Sequence, residues 1–447
     1  MGLFDRLRGD DGPRVAFFGI DGVPYSLVDD HREEFPTLAS IADEGTGGPI
    51  DSIVPPESSA CWPALTTGRN PGETGVYGFT DREVGSYETY IPMGGDVQAD
   101  RIWDRIQESG RDASVYNVPV TFPPQRNVQR MVSGFLSPGL DRAAYPDDLR
   151  EELESIDYRI DADVSLGHED DKTAFIEDAT ETLKARHEAF VRCIEKDDWD
   201  LFFGVFMTTD RINHFLFEDY ERDGEHREEF LQFYRTLDRY LGDLRARLAD
   251  DVTMIVASDH GFTTLDYEVH CNEWLRQEGW LSFDGDDHEE LGDISADAQA
   301  YSFIPGRFYL NLEGREPNGC VSEEDYEEVR AELRDDLLDL EGPDGRPVCD
   351  RVVTKEEAFR GEHDAIAPDL VAIPNNGFDL KAGFAGHDEV FDQGPRNGMH
   401  TFDNASLFID DPSATIEGAD LLDLAPTILD LMDIEYEASE FDGTSLM

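Results

Sequence analysis

The chain has 447 residues, and its 100 Asp and Glu outnumber 37 Lys and Arg to give a formal net charge of −63. Such a charge repels nucleic acid and anionic membrane surfaces, so no nucleic-acid partner is expected. Hydrophobic residues make up 39% of the chain, and 27 Phe and 15 Tyr lie among regular apolar segments, which argues against disorder.

Five of the basic residues are Lys and the rest Arg, with Asp and Glu spread along the whole length. This composition resembles that of proteins from extreme halophiles. At 1 M salt the Debye length is about 3 Å, so self-repulsion is screened. The charge then describes habitat rather than substrate. The five Cys (61, 193, 271, 320 and 349) lack CxxC spacing, which points to reduced thiols and a cytoplasmic location rather than a disulfide framework. No apolar run has the length of a membrane span and no signal peptide is read. Residues 1–13 are expected to form a flexible tail, with a short amphipathic turn over the first eight as the alternative.

In chain order, the apolar run 14–20 ends at Asp21-Gly22 and predicts a buried strand followed by a turn. Runs at 114–118, 200–207, 252–257 and 369–373 predict further strands. Between them, Phe175, Ile176, Ala179, Leu183, Phe190, Val191 and Ile194 mark the apolar face of a helix over 173–196. Phe230, Tyr234, Leu237, Leu241 and Leu244 do the same over 225–249. Residues 284–300 are expected to form an acidic loop at the edge of an inserted subdomain. Alternation of strand and helix predicts an α/β fold, a three-layer α/β/α sandwich around a mostly parallel central sheet. Residues 14–447 are assigned to this domain, with a smaller substrate-facing subdomain inserted at about 265–390.

Ligands of parallel α/β sheets gather beyond the carboxyl ends of the strands. Four motifs bearing Asp or His sit at such places: Asp21, the segment Asp210–His214, Asp259-His260-Gly261, and His400 in NGMH. Asp210 and His214 are four apart, so a helical turn puts both on one face. Three Asp and three His suit two borderline-hard divalent ions such as zinc or manganese. Taken singly, a strand-ending Asp caps a helix more often than it binds metal, and a lone loop His is more often solvated. Four motifs at matching strand ends together favour a metal site.

The segment PPESSACWPALTTGRNPGETGVYGF spans residues 55–79. The Pro-Pro pair sets an extended approach, and a short helix is expected through Ala60–Leu65. A Ser at a helix N-terminus meets unsatisfied N–H groups and the positive end of the dipole, which favours its alkoxide and binds phosphate. The plain alternative is that Ser58 or Ser59 is an N-cap.

With these motifs the chain resembles the alkaline phosphatase superfamily. The likeness is to its type I phosphodiesterase/nucleotide pyrophosphatase branch and to related phosphohydrolase/phosphomutase-like proteins. In that superfamily the nucleophilic Ser or Thr lies ten residues before the Gly of a Thr-Gly pair. Counting back from Gly68 selects Ser58 over Ser59. NVPVTFPP (117–124), TTDRINHF (208–215), ASDHGF (257–262), CNEWLRQEGWL (271–281), FYLNLEGREPNG (308–319) and LAPTILDLMDI (424–434) match family-like blocks in the expected order. The resemblance implies one metal held by Asp210, His214 and His400, and another by Asp21, Asp259 and His260, with Ser58 oxygen at or between them. It further implies a two-metal hydrolase of small phosphate esters, phosphodiesterase-like, working through a phospho-Ser58 intermediate. The ions are expected to be zinc, with manganese or iron compatible.

Some positions depart from the nucleotide-cleaving pattern. Where those enzymes usually have Asn three residues after the nucleophile, this chain has Cys61 followed by Trp62. Cys61 is read as a packing residue or, alternatively, a thiol facing the substrate phosphate. His270, His363 and His387 receive no role, and Arg307 and Arg315 are read as salt-bridged rather than substrate-binding. The alternatives to a diesterase are a phosphomonoesterase or phosphomutase on the same metal centre, and an inactive binding protein of the same fold.

Overall fold

A computed structural model describes residues 12–447 except 197 and 286. The expected tail at 1–13 therefore lies almost wholly outside the described residues. The centre is an eight-stranded sheet in the order Thr46–Ile50, Ala405–Ile409, Val252–Ala257, Arg14–Ile20, Leu201–Phe206, Ala113–Val118, Arg130–Ser133, Ala144–Tyr145. From Val252–Ala257 to Arg130–Ser133 every pairing is parallel, while both margins are antiparallel.

The Arg14–Ile20 strand is buried throughout because helices cover both faces of the sheet. Its side chains alternate between two cores. Ala16, Phe18 and Ile20 pack with the helices Pro36–Glu44, Thr173–Ile194, Thr208–Glu221 and Arg227–Arg245. Val15 and Phe17 pack on the other side with Ser58–Thr67, Ile102–Glu108 and Leu424–Leu431. The result is the predicted α/β/α sandwich. The two long helices, Thr173–Ile194 and Arg227–Arg245, run slightly shorter than the ranges expected for them, and they contain the whole of both apolar stripes.

One expectation is corrected. The run at 369–373 does form a strand, Leu370–Pro374, but it belongs to a separate four-stranded antiparallel sheet with Ala300–Phe303, Arg307–Leu310 and Cys349–Thr354. Periodicity marks a buried strand without saying which sheet buries it. Within the acidic stretch 284–300, Leu291, Ile294, Ala298 and Ala300 insert into a third core built from residues of the 269–384 region. All five Cys are free. No helix among the described residues is long and apolar enough to cross a membrane.

This third core meets the sandwich through buried ion pairs. Arg307 reaches Asp81 at 2.5 Å and Arg82 reaches Glu316 at 3.2 Å, all four side chains almost fully buried. Asp81 and Arg82 come two and three residues after the 55–79 segment, so the pairs help to fix where that segment sits. Arg307→Ala leaves Asp81 buried without its main partner and should cost about 3–5 kcal/mol. The midpoint of guanidinium unfolding measures this; an unchanged midpoint would show that the pair contributes nothing.

Candidate active site

Three adjacent strands deliver the three carboxylates. Asp21 follows Arg14–Ile20, Asp259 stands just beyond Val252–Ala257, and Asp210 lies in the first turn of the helix that follows Leu201–Phe206. One turn along that helix, His214 Nε2 comes within 3.3 Å of Asp210 Oδ1. His260 follows Asp259 in sequence. His400 arrives from the far end of the chain on the strand Gly398–Thr401, which pairs antiparallel with Gly261–Thr264. That pairing stacks the His400 ring on His260 at 3.8 Å between centroids.

Each of the three imidazoles turns Nδ1 to a backbone carbonyl: His214 to Gly398 O at 3.1 Å, His260 to Gly261 O at 3.1 Å, His400 to Pro56 O at 3.0 Å. A carbonyl accepts only, so Nδ1 carries a proton, and in the neutral ring Nε2 is the nitrogen that offers a lone pair. These lone pairs converge. His400 Nε2 is 3.1 Å from His214 Nε2 and 3.2 Å from Asp210 Oδ1. His260 Nε2 is 3.6 Å from Asp21 Oδ1 and 3.5 Å from Asp259 Oδ2. Asp259 Oδ2 is buried and has no hydrogen-bond partner.

The electrostatics describe the same crowding. Burial, with the charges of Asp259 and Asp210, holds the Asp21 carboxyl well above its ordinary range. Burial also pushes Asp259 up to about 7, Asp210 adding to it and His400 opposing. For Asp210 burial acts in the same sense, but His214, His400 and Arg211 outweigh it and hold the group well below its usual range. Burial keeps His214 and His260 in the neutral form. Acceptors packed against acceptors, with an orphaned carboxylate oxygen, fit divalent cations. Donor atoms of Asp210, His260 and His400 lie within 4.8 Å of one another, as do those of Asp21, Asp259 and His260. His214 joins the first group through the distances above, and His260 stands at the border of both.

Ser58 occupies that border. It opens the helix Ser58–Thr67, and its Oγ donates to Asp21 Oδ1 at 3.3 Å and lies 3.2 Å from His260 Nε2. Neither serine is the N-cap. Glu57 is, its carboxylate accepting from Ser59 N at 3.3 Å, which leaves the Ser58 hydroxyl for the site. A cavity of about 450 Å³ opens from Ser58, Asp210, His214 and His400. Phe79, Phe135, Leu136, Met207 and Ile304 give it apolar walls, and Lys381 and Arg396 line it as well.

Cys61 does not line this cavity. It is buried one helical turn behind Ser58, its Sγ 3.3 Å from Ser52 Oγ, and burial holds its thiol far above the ordinary range. Arg307 and Arg315 are engaged with Asp81 and with Asp369 and Glu316. Sequence reasoning missed two supports. The indole of Trp62 donates to Asp21 Oδ2 at 2.7 Å, and Arg211 donates to Asp210 Oδ2 at 2.8 Å while also gripping Asp161. Trp62 lies over Gly19, where a Cβ would come within 2.3 Å of the indole. Arg211 had a signal, being wedged inside the Asp210–His214 turn; Asp161, fifty residues upstream of it, had none.

Partners of this kind orient ligand side chains, and their loss typically lowers metal affinity about 10–100-fold. Trp62→Phe should weaken divalent-metal binding by about that factor with little change in fold, as read by zinc titration against a competing chelator. Unaltered affinity would mean that the Asp21 carboxylate needs no such support.

The sequence matches the profile described as Type I phosphodiesterase / nucleotide pyrophosphatase over residues 15–403. Compared by sequence with curated proteins, the chain has no match. Among solved structures, phosphonoacetate hydrolase from Sinorhizobium meliloti 1021 in complex with phosphonoformate is similar at a TM-score of 0.59 and 15% identity, over 94% of this chain and 95% of that one. Murine ectonucleotide pyrophosphatase/phosphodiesterase 5 aligns with a TM-score of 0.55 and 15% identity, covering 96% and 97% of the two chains. The human protein of the same name gives 0.56 and 14%, covering 96% and 97%. With this fold and a profile match over most of its length, the chain belongs to the type I phosphodiesterase/nucleotide pyrophosphatase family and is a phosphoester hydrolase.

Proposed function

We propose that the chain hydrolyses phosphate diesters with Ser58 as nucleophile and two divalent metal ions, zinc, manganese or iron, as cofactors. The observation that carries this reading is the position of Ser58 Oγ, 3.3 Å from Asp21 Oδ1 and 3.2 Å from His260 Nε2, on the border of two donor groups. Asp210, His214 and His400 would hold one ion, and Asp21, Asp259 and His260 the other. When bound, the ions supply positive charge that lowers the pKa of the serine hydroxyl and offsets charge developing on the phosphoryl oxygens.

The protein's own groups do the positioning. Placement at the start of the helix exposes Oγ to the positive end of the helix dipole, which favours an oxyanion there. Asp21 Oδ1 accepts the hydroxyl hydrogen, so the oxygen lone pairs are free to face the cavity. In-line attack by Oγ forms the Ser58–phosphorus bond and breaks the bond to one ester oxygen, which departs as the alcohol. Water then cleaves the phosphoserine and restores Ser58. The apolar walls give room to an ester substituent that a simple monoester lacks, and this favours a diester.

Ser58→Ala should keep its bound metal yet lose turnover of a nitrophenyl phosphodiester by at least about a thousandfold. Metal removal by a chelator should abolish the same activity, and added zinc or manganese should restore it. Equal or faster cleavage of the nitrophenyl monoester or sulfate would overturn the diester assignment, and an active Ser58→Ala variant would overturn the nucleophile.

Arg396 is half-buried, lines the cavity and has no ion-pair partner among the described residues. An ester bearing a second anionic group can use it. Arg396→Ala should raise KM for such a substrate about tenfold, the value of one charge-assisted hydrogen bond, and leave KM for an uncharged-substituent diester unchanged. Equal effects on both substrates would remove Arg396 from recognition.

A further inference from the structure

Among the described residues, one more group of side chains brings metal-binding atoms within 4.8 Å of each other, away from the Asp and His of the active site. It consists of His270, His387 and Asp392. His270 ends the strand Tyr267–His270 and is buried. Asp392 lies on the two-residue strand Phe391–Asp392, which pairs antiparallel with the first, and its Oδ2 is 3.0 Å from His270 Nε2. His387 comes from the intervening exposed turn and lays its ring on that of His270, centroids 3.6 Å apart.

We propose that these three residues form a further binding site for a borderline divalent cation such as zinc. Two imidazoles and a carboxylate are the donor set that borderline transition ions select, and a fourth position would be left to water. A tetrahedral ion with bonds of about 2 Å holds its donors roughly 3.3 Å apart. The His270–Asp392 pair already meets that spacing. His387 and Asp392 are exposed, so rotamer changes without backbone movement can close the remainder.

The location gives the site a consequence. Strand Phe378–Lys381 pairs with Tyr267–His270 so that Lys381 stands opposite His270. From Lys381 the chain runs through His387, Asp392 and Arg396 to His400, leaving the cavity and returning to it. A cation held by His387, Asp392 and His270 ties the exposed middle of that segment to a buried strand. It would hold both cavity-lining ends in register.

The test is zinc stoichiometry on the full chain, saturated with zinc and then passed into 1 M KCl to suppress loose binding to the acidic surface. His387→Ala and Asp392→Asn, both at exposed positions, should each bind one zinc fewer per chain than the unaltered protein. Hydrolysis at Ser58 should persist in both variants. The difference carries the result, so it stands whatever number of ions the active site holds. The same zinc content in all three proteins overturns the proposal. As a second readout, zinc should slow proteolytic cleavage within 383–390 in the unaltered protein and not in His387→Ala. Equal protection of both overturns it likewise.

Discussion

Three carboxylates and three imidazoles share one small, water-poor space at the carboxyl end of the sheet, and the surrounding structure is arranged to keep them there. Neighbouring strands run about 4.8 Å apart. Val252–Ala257, Arg14–Ile20 and Leu201–Phe206 are consecutive in the sheet, so Asp259, Asp21 and Asp210 must emerge side by side. Taking an ion out of water costs several kcal/mol even after relaxation, and packing like charges together adds to it. The raised pKa values of Asp21 and Asp259 express that cost, and divalent cations are the partners that offset it.

Much of the architecture follows from aiming these groups. The Nδ1 bonds to Gly398, Gly261 and Pro56 fix tautomer and ring orientation at the same time. Two of these carbonyls belong to the small sheet pairing Gly261–Thr264 with Gly398–Thr401, the same pairing that carries His400 to His260. One backbone ladder thus places one imidazole and orients two others. Gly19 lets the Trp62 indole pass close over the first strand to reach Asp21. Arg211 spans Asp210 and Asp161, so the charge of Asp210 is balanced by a group that is itself held.

What was legible in the sequence was local. Asp210 and His214 declare themselves by helical spacing, and Asp21 and Asp259 by following apolar runs. The distance from Ser58 to Gly68 also has a physical meaning: it is the length of one helix, whose C-cap is Gly68 at φ 63°. A side chain there would strike Phe441, so helix length and the placement of the serine are set together. Contacts between distant segments were not legible. Trp62 on Asp21, Asp161 on Arg211 and the antiparallel margins of the sheet each depend on which segment becomes a neighbour in space. The Leu370–Pro374 strand shows the limit well. Its apolar run marks it as buried, but Arg307–Leu310 and Cys349–Thr354 decide which sheet receives it.

A chain with a formal charge of −63 is an unexpected host for an anionic substrate. Two features resolve the conflict on different length scales. Near the cavity, cations offset part of the acidic lining: Arg211 is shared by Asp161 and Asp210, and Lys381 pairs with Asp379. Arg396 remains over, and bound dications would make the site's local sign positive. Farther out, the rest of the acidic surface acts only through solvent. Its reach is about 30 Å at 0.01 M salt but about 3 Å at 1 M. At low ionic strength the surface field would oppose every encounter with substrate; in molar salt the ester meets only the groups it touches. An acidic exterior and a site that receives anionic esters are compatible where salt separates them.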